Sequence, residues 1–87
     1  PKNKTRRKRD RALLPRVLEA QGGFCGICGE RLRNSPSFDH VVPKCRGGGD
    51  AANRIVAHVP CNSRKANRMP TGCELVMLAA VNARIGA

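Results

Sequence analysis

The sequence predicts a small α+β domain stapled by a metal ion, and three observations carry that prediction. Cys25 and Cys28 form a C-x-x-C pair, and thirty residues later His58 and Cys61 form H-x-x-C with the same spacing. Two short runs of β character, SFDHVVP and RIVA, lie between the pairs and are separated by a glycine-rich loop. Outside the pairs, apolar residues recur at helical spacing, in RALLPRVLEAQGG upstream and in CELVMLAAVNARI downstream.

Length and composition make the staple necessary. An 87-residue chain makes one domain with a modest core. It holds two Phe, no Trp and no Tyr, so large apolar anchors are scarce. Natural domains of this size often add a metal or disulfides to make up the difference. The five cysteines are an odd number, and the N-terminus is charged where a secretory leader would be apolar. The longest apolar run, LVMLAAV at 75–81, is far too short to span a bilayer. A reducing cytoplasm is therefore expected, where closely spaced cysteines bind metal. The chain opens on Pro rather than Met, so an initiator has been removed or the chain is a fragment.

The elements follow in order. Residues 1–11, PKNKTRRKRDR, read as a flexible basic arm, and residues 12–87 as the single domain. A first helix starts near Ala12 to Leu14, because Pro15 suits a first turn and disrupts a helix interior. Gly22 and Gly23 stop it. FCGICGERL is a tight cysteine turn between short extended segments. A strand through Phe38 to Val42 closes at Pro43, a loop runs over 44–53, and RIVA returns as a second, antiparallel strand. HVPCNSRKANR then turns into a helix with Pro60 near its first turn. Thr71 followed by Glu74 is a capping-box signature for the last, apolar helix.

Four soft or borderline donors at Cys25, Cys28, His58 and Cys61 suit tetrahedral zinc. A closed Cys3His set keeps no open position, so its role is structural. Cys45 or Cys73 is the alternative fourth ligand; otherwise both are unpaired thiols.

Charge points to a polyanion. The formal charge is +11, with seven cations and one acid in residues 1–11 and ten cations and five acids in the remainder. The domain is basic even without its arm, which favours phosphate backbones. Scarce aromatics argue against stacking on single strands, so duplex DNA is the expected partner. Lys8, Arg9, Lys44, Arg46, Arg64, Lys65 and Arg68 are the candidate phosphate contacts. The GGG at 47–49 lacks the G-K-[ST] ending of a nucleotide cradle, so no small-molecule substrate is expected.

Two antiparallel strands handing the chain to a helix near Cys61 would set Asp39 and Asn62 facing one another as oxygen donors. CGIC, FDHVVPKCRGGG, Asn53, and RIVAHVPCNSRK, in this order, resemble the HNH endonucleases. The resemblance spans about Arg16 to Arg68 and implies a ββα-metal fold with a structural zinc, flanked here by an N-terminal and a C-terminal helix. It implies that Asp39 and Asn62 bind one catalytic divalent ion, that His40 is the general base, and that Asn53 holds the loop so the imidazole points at water. The third signature position is often His in that family and is Asn62 here, which suits Mg²⁺ or Mn²⁺ better than a softer ion. The expected activity is metal-dependent nicking or cutting of duplex DNA, leaving 5′-phosphate and 3′-hydroxyl ends, by a monomer or homodimer in a bacterial or phage-infected cell. The alternative is a non-catalytic zinc module that binds nucleic acid through its basic surface.

Overall fold

A computed structural model describes residues 2–49 and 52–85, the side chains of residues 2–7 excepted. Residues 50 and 51 of the expected loop, and the side chains of the first part of the expected arm, lie outside that description. The elements run in the order α1 (Lys2–Ala20), β1 (Pro36–His40), β2 (Arg54–His58), α2 (Val59–Lys65) and α3 (Gly72–Ile85). This is the α+β arrangement expected from the sequence, a hairpin and helix flanked by a helix at each end.

The first helix departs from expectation. It begins at Lys2, well before Ala12, and carries Pro15 in its interior. Lys and Arg are good helix formers, so the upstream segment propagates once the downstream part is fixed. Pro15 lacks the N–H of one helical bond; it is exposed, and the turns on either side of it are anchored. Downstream, Val17 and Ala20 are buried and Leu13, Leu14 and Leu18 pack against the same core. Upstream, Asp10 ion-pairs with Arg54 on β2. Gly22 and Gly23, both with positive φ of 71° and 84°, end the helix as expected.

The sheet is two antiparallel strands, with Phe38 opposite Val56, Asp39 opposite Ile55 and His40 opposite Arg54. The first strand ends at His40, earlier than the expected Pro43. Val41 and Val42 instead turn toward Asn53, whose backbone oxygen accepts from Val41 N at 2.8 Å and whose Oδ1 accepts from Val42 N at 2.9 Å. The far edge of β2 is also satisfied. Gln21, buried just after α1, accepts from Val56 N and donates to Val56 O, as a neighbouring strand would.

The cysteine turn lies on this sheet. A bridge between Phe24 and Arg31 closes it, and Gly26 N donates to Val56 O at 3.0 Å. A Cβ on Gly26 would come within 2.5 Å of Ile55 Cδ1, so β2 presses directly on the turn. Pro60 stands in the first turn of α2 as expected. At the start of α3 the capping box forms, with Glu74 N donating to Thr71 Oγ1 at 3.2 Å and Thr71 N to Glu74 Oε1 at 3.4 Å. Val81 is buried in the core, and Arg84 donates to Ala20 O at the end of α1. No helix among the described residues is long and apolar enough to cross a membrane.

The loop after β1 tolerates change unevenly. A Cβ on Gly48 would fall 1.8 Å from Val42 O and 2.8 Å from Asn53 Nδ2, whereas one on Gly49 meets nothing within 4 Å. Gly48→Ala is expected to destabilise by about 1–3 kcal/mol, and Gly49→Ala to stay within about 0.5 kcal/mol of the parent. Denaturant unfolding of the two variants checks the contrast.

Candidate metal centre and adjoining cleft

Cys25 and Cys28 come from the cysteine turn, His58 ends β2, and Cys61 sits in the first turn of α2. Their ligand atoms all lie within 4.8 Å of one another. His58 Nδ1 is 3.5 Å from Cys28 Sγ and 3.7 Å from Cys61 Sγ, so the δ nitrogen faces the sulfurs. Three thiols and one imidazole converging on one point fit a structural zinc site. Cys45 and Cys73 are exposed and belong to no such group among the described residues, which removes the alternative fourth ligand.

The surroundings act on the sulfurs in opposite directions. Burial pushes the Cys25 thiol up, but the N–H groups of Cys28, His58 and Ile27 outweigh it and hold the thiol down to about 6. Cys28 goes the other way. The Glu30 N–H favours its thiolate, while burial and the neighbouring thiols together raise it. Arg64 Nη2 lies 3.7 Å from Cys61 Sγ and sets a positive charge against the sulfur cluster.

The other side of α2 opens on a cleft of about 240 Å³ whose walls include Asp39, His40, Lys44, Asn62 and Asn67. Asp39, His40 and Asn62 thus line one cleft. Both Asp39 and His40 are paired in the ladder, Asp39 buried and His40 half-buried at the strand's last position. Asn62 Nδ2 donates to Phe38 O at 2.8 Å, which ties α2 to β1 and fixes the amide's orientation. Asn53 is fully used as a brace. Besides the Val42 N–H it accepts, its Nδ2 donates to Val42 O at 2.9 Å and Gly49 O at 2.8 Å. That brace joins the end of β1 to the glycine loop and holds the backbone behind His40.

The cations divide into several groups. Lys65 corrects the sequence reading: it is no surface phosphate contact, because its side chain is 0% exposed. Its ammonium has three donors, and they reach Asp39 Oδ2 at 2.6 Å, His40 O at 3.0 Å and Val41 O at 2.9 Å. Glu74 Oε1 stands 3.8 Å away. A helical spacing gave the clue: Lys65 follows the ligand Cys61 by four residues and so shares its inward face. Arg68 remains partly exposed, yet one guanidinium nitrogen is bound to buried Glu74 at 2.8 Å. Arg46 donates through Nε to Asn67 O and is otherwise exposed, at the rim of the cleft. Lys44, Arg64, Lys8 and Arg9 are exposed.

The pairing with Lys65 does not fully offset the burial of Asp39. Burial raises the carboxyl above its ordinary value, and the ammonium pulls it back only in part. No family model matches the chain, and no curated protein matches it.

Zinc binding supplies about 10 kcal/mol or more to metal-stapled folds, comparable with the whole stability of a small domain. Cys25→Ser and Cys61→Ser are therefore expected to abolish cooperative thermal unfolding and bound zinc together, read by circular dichroism and metal analysis. Replacing Lys65 by Met strands the buried Asp39 carboxylate and leaves Glu74 to Arg68 alone. It is expected to destabilise the zinc-loaded domain by about 3–5 kcal/mol and to raise the Asp39 titration further. Denaturant unfolding and carboxyl NMR titration measure the two effects.

Proposed function

We propose that the protein is a divalent-metal-dependent nuclease that hydrolyses phosphodiester bonds in duplex DNA, with His40 as general base. The observation that supports it best is the meeting of His40, Asp39 and Asn62 at one cleft beside a Cys3His centre. A module that only grips nucleic acid has no need of that set.

The available donors suit a hard cation. Lys65 occupies Asp39 Oδ2, so a metal would be held through Oδ1. Asn62 turns its amide nitrogen to Phe38 O and offers its own Oδ1. Two oxygen donors with room for water and phosphate match the habits of Mg²⁺ and Mn²⁺. Such an ion supplies Lewis acidity toward the scissile phosphate and its leaving oxygen.

The remaining work falls to the chain itself. His40, an imidazole at the cleft wall, takes the proton of the attacking water. Asn53 keeps the loop behind His40 in place, so the ring does not have to be ordered during the reaction. Lys44 in the cleft wall, and exposed Arg46 bound to the cleft residue Asn67, attract the sugar–phosphate strand. The exposed cations of α1 extend that attraction beyond the cleft.

One observation favours the second reading, a non-catalytic nucleic-acid-binding module. Asp39 already has a buried cation at 2.6 Å, which weakens its pull on a metal. Supercoiled plasmid separates the two. With Mg²⁺ or Mn²⁺ the nuclease converts it to nicked circles, and His40→Ala lowers that rate by about 10²–10⁴-fold while zinc content and fold persist. Plasmid that binds the protein yet stays intact at every metal concentration leaves the binding module standing.

A further inference from the structure

Arg54 is an ordinary strand residue by sequence, yet its guanidinium is held from two sides at the cleft end of the sheet. Its Cζ lies 4.4 Å from the centroid of the Phe38 ring, within cation–π reach. Nη1 donates to Asp10 Oδ1 at 2.9 Å, and the side chain is only 12% exposed. The strand register sets it opposite His40. Its Nε is the one buried side-chain nitrogen or oxygen without a partner among the described residues. The stack on Phe38 and the bond to Asp10 together dictate the guanidinium plane, and Nε is left without an acceptor as a result.

Asp10 is the other half of the device. It is the lone acid among the first eleven residues, which carry seven cations. An acid there weakens attraction to a polyanion, so the ion pair accounts for a residue that charge alone does not. Asp10 precedes Leu13, where α1 first packs against the core, by three residues, or about 5 Å of helix. Lys8 and Arg9 are exposed within a turn of it.

We propose that Arg54 is a positioning residue: stacked on Phe38 and paired with Asp10, it fixes the basic half of α1 beside the end of the hairpin that carries His40. Lys8 and Arg9 then meet a duplex backbone in a set register with the cleft. The geometry stands apart from the nuclease reading, while the consequence for cleavage rests on it.

Asp10→Asn, Arg54→Met and the double variant test the proposal on the zinc-loaded full chain. Asp10→Asn raises the net charge from +11 by one, so electrostatics alone predicts tighter duplex binding and no slower cleavage. The positioning role predicts otherwise. Amide exchange over residues 8–16 rises about tenfold, and affinity for a short duplex holds or tightens. Nicking at saturating protein falls about tenfold, and the double variant is no worse than the poorer single one. Should Arg54→Met fail to fold, Asp10→Asn decides, since its carboxylate is a third exposed. Unchanged exchange, or nicking that rises with the added charge, overturns the proposal. If the parent chain leaves plasmid intact, the nuclease reading fails on that result. The clamp is then judged by exchange alone, a rise supporting it and no change overturning it.

Discussion

The convergence of Cys25, Cys28, His58 and Cys61 is the constraint on which the other features depend. The cysteine turn, the end of β2 and the start of α2 contribute its members, so one ion would join three segments. The buried core is made of small and medium residues, among them Val17, Ala20, Leu32, Val56, Ala57 and Val81, with no buried aromatic. Such a core gives limited stability in a domain of this size. The metal site also fixes a rotation. With Cys61 turned toward the turn cysteines, the helical period sends Lys65 beneath the end of β1 and presents Asn62 to the cleft.

A second constraint is electrostatic and grows from the first. Asp39, Lys65, Glu74 and Arg68 form a chain of opposite charges linking β1, α2 and the start of α3. Two acids against two bases leave it formally neutral, which is how so much charge is tolerated at low exposure. Glu74 serves twice, as the reciprocal acceptor of a capping box and as a partner to Arg68. Asp39 is likewise divided, with one oxygen bound to Lys65. Structure and candidate chemistry therefore draw on the same carboxylate.

Local patterns were the legible part of this chain. Matching two-residue spacings exposed the Cys3His group, β-branched runs exposed the hairpin, and Thr71 with Glu74 exposed the start of α3. Strand order and the knuckles pointed to Asp39 and Asn62 facing one another, and His40 joined them only through the resemblance. What escaped was set by partners distant in sequence. Pro15 argued for a late helix start, and the Asp10–Arg54 pair across 44 positions helps to anchor the helix that extends past it. Gln21 carries no signal that it will complete the edge of a strand 35 residues away. Lys65 read as a surface cation because lysine usually is one, though its spacing from Cys61 pointed inward.

The central claim is that a structural zinc holds an oxygen-donor cation site against a hydrolytic imidazole. Anomalous scattering from crystals grown with zinc and soaked in Mn²⁺ tests it most directly. The account predicts a zinc peak among Cys25, Cys28, His58 and Cys61, and a manganese peak between the Oδ1 atoms of Asp39 and Asn62 within reach of His40. A zinc peak elsewhere, or a cleft that takes no manganese while Lys65 keeps its hold on Asp39, would contradict it.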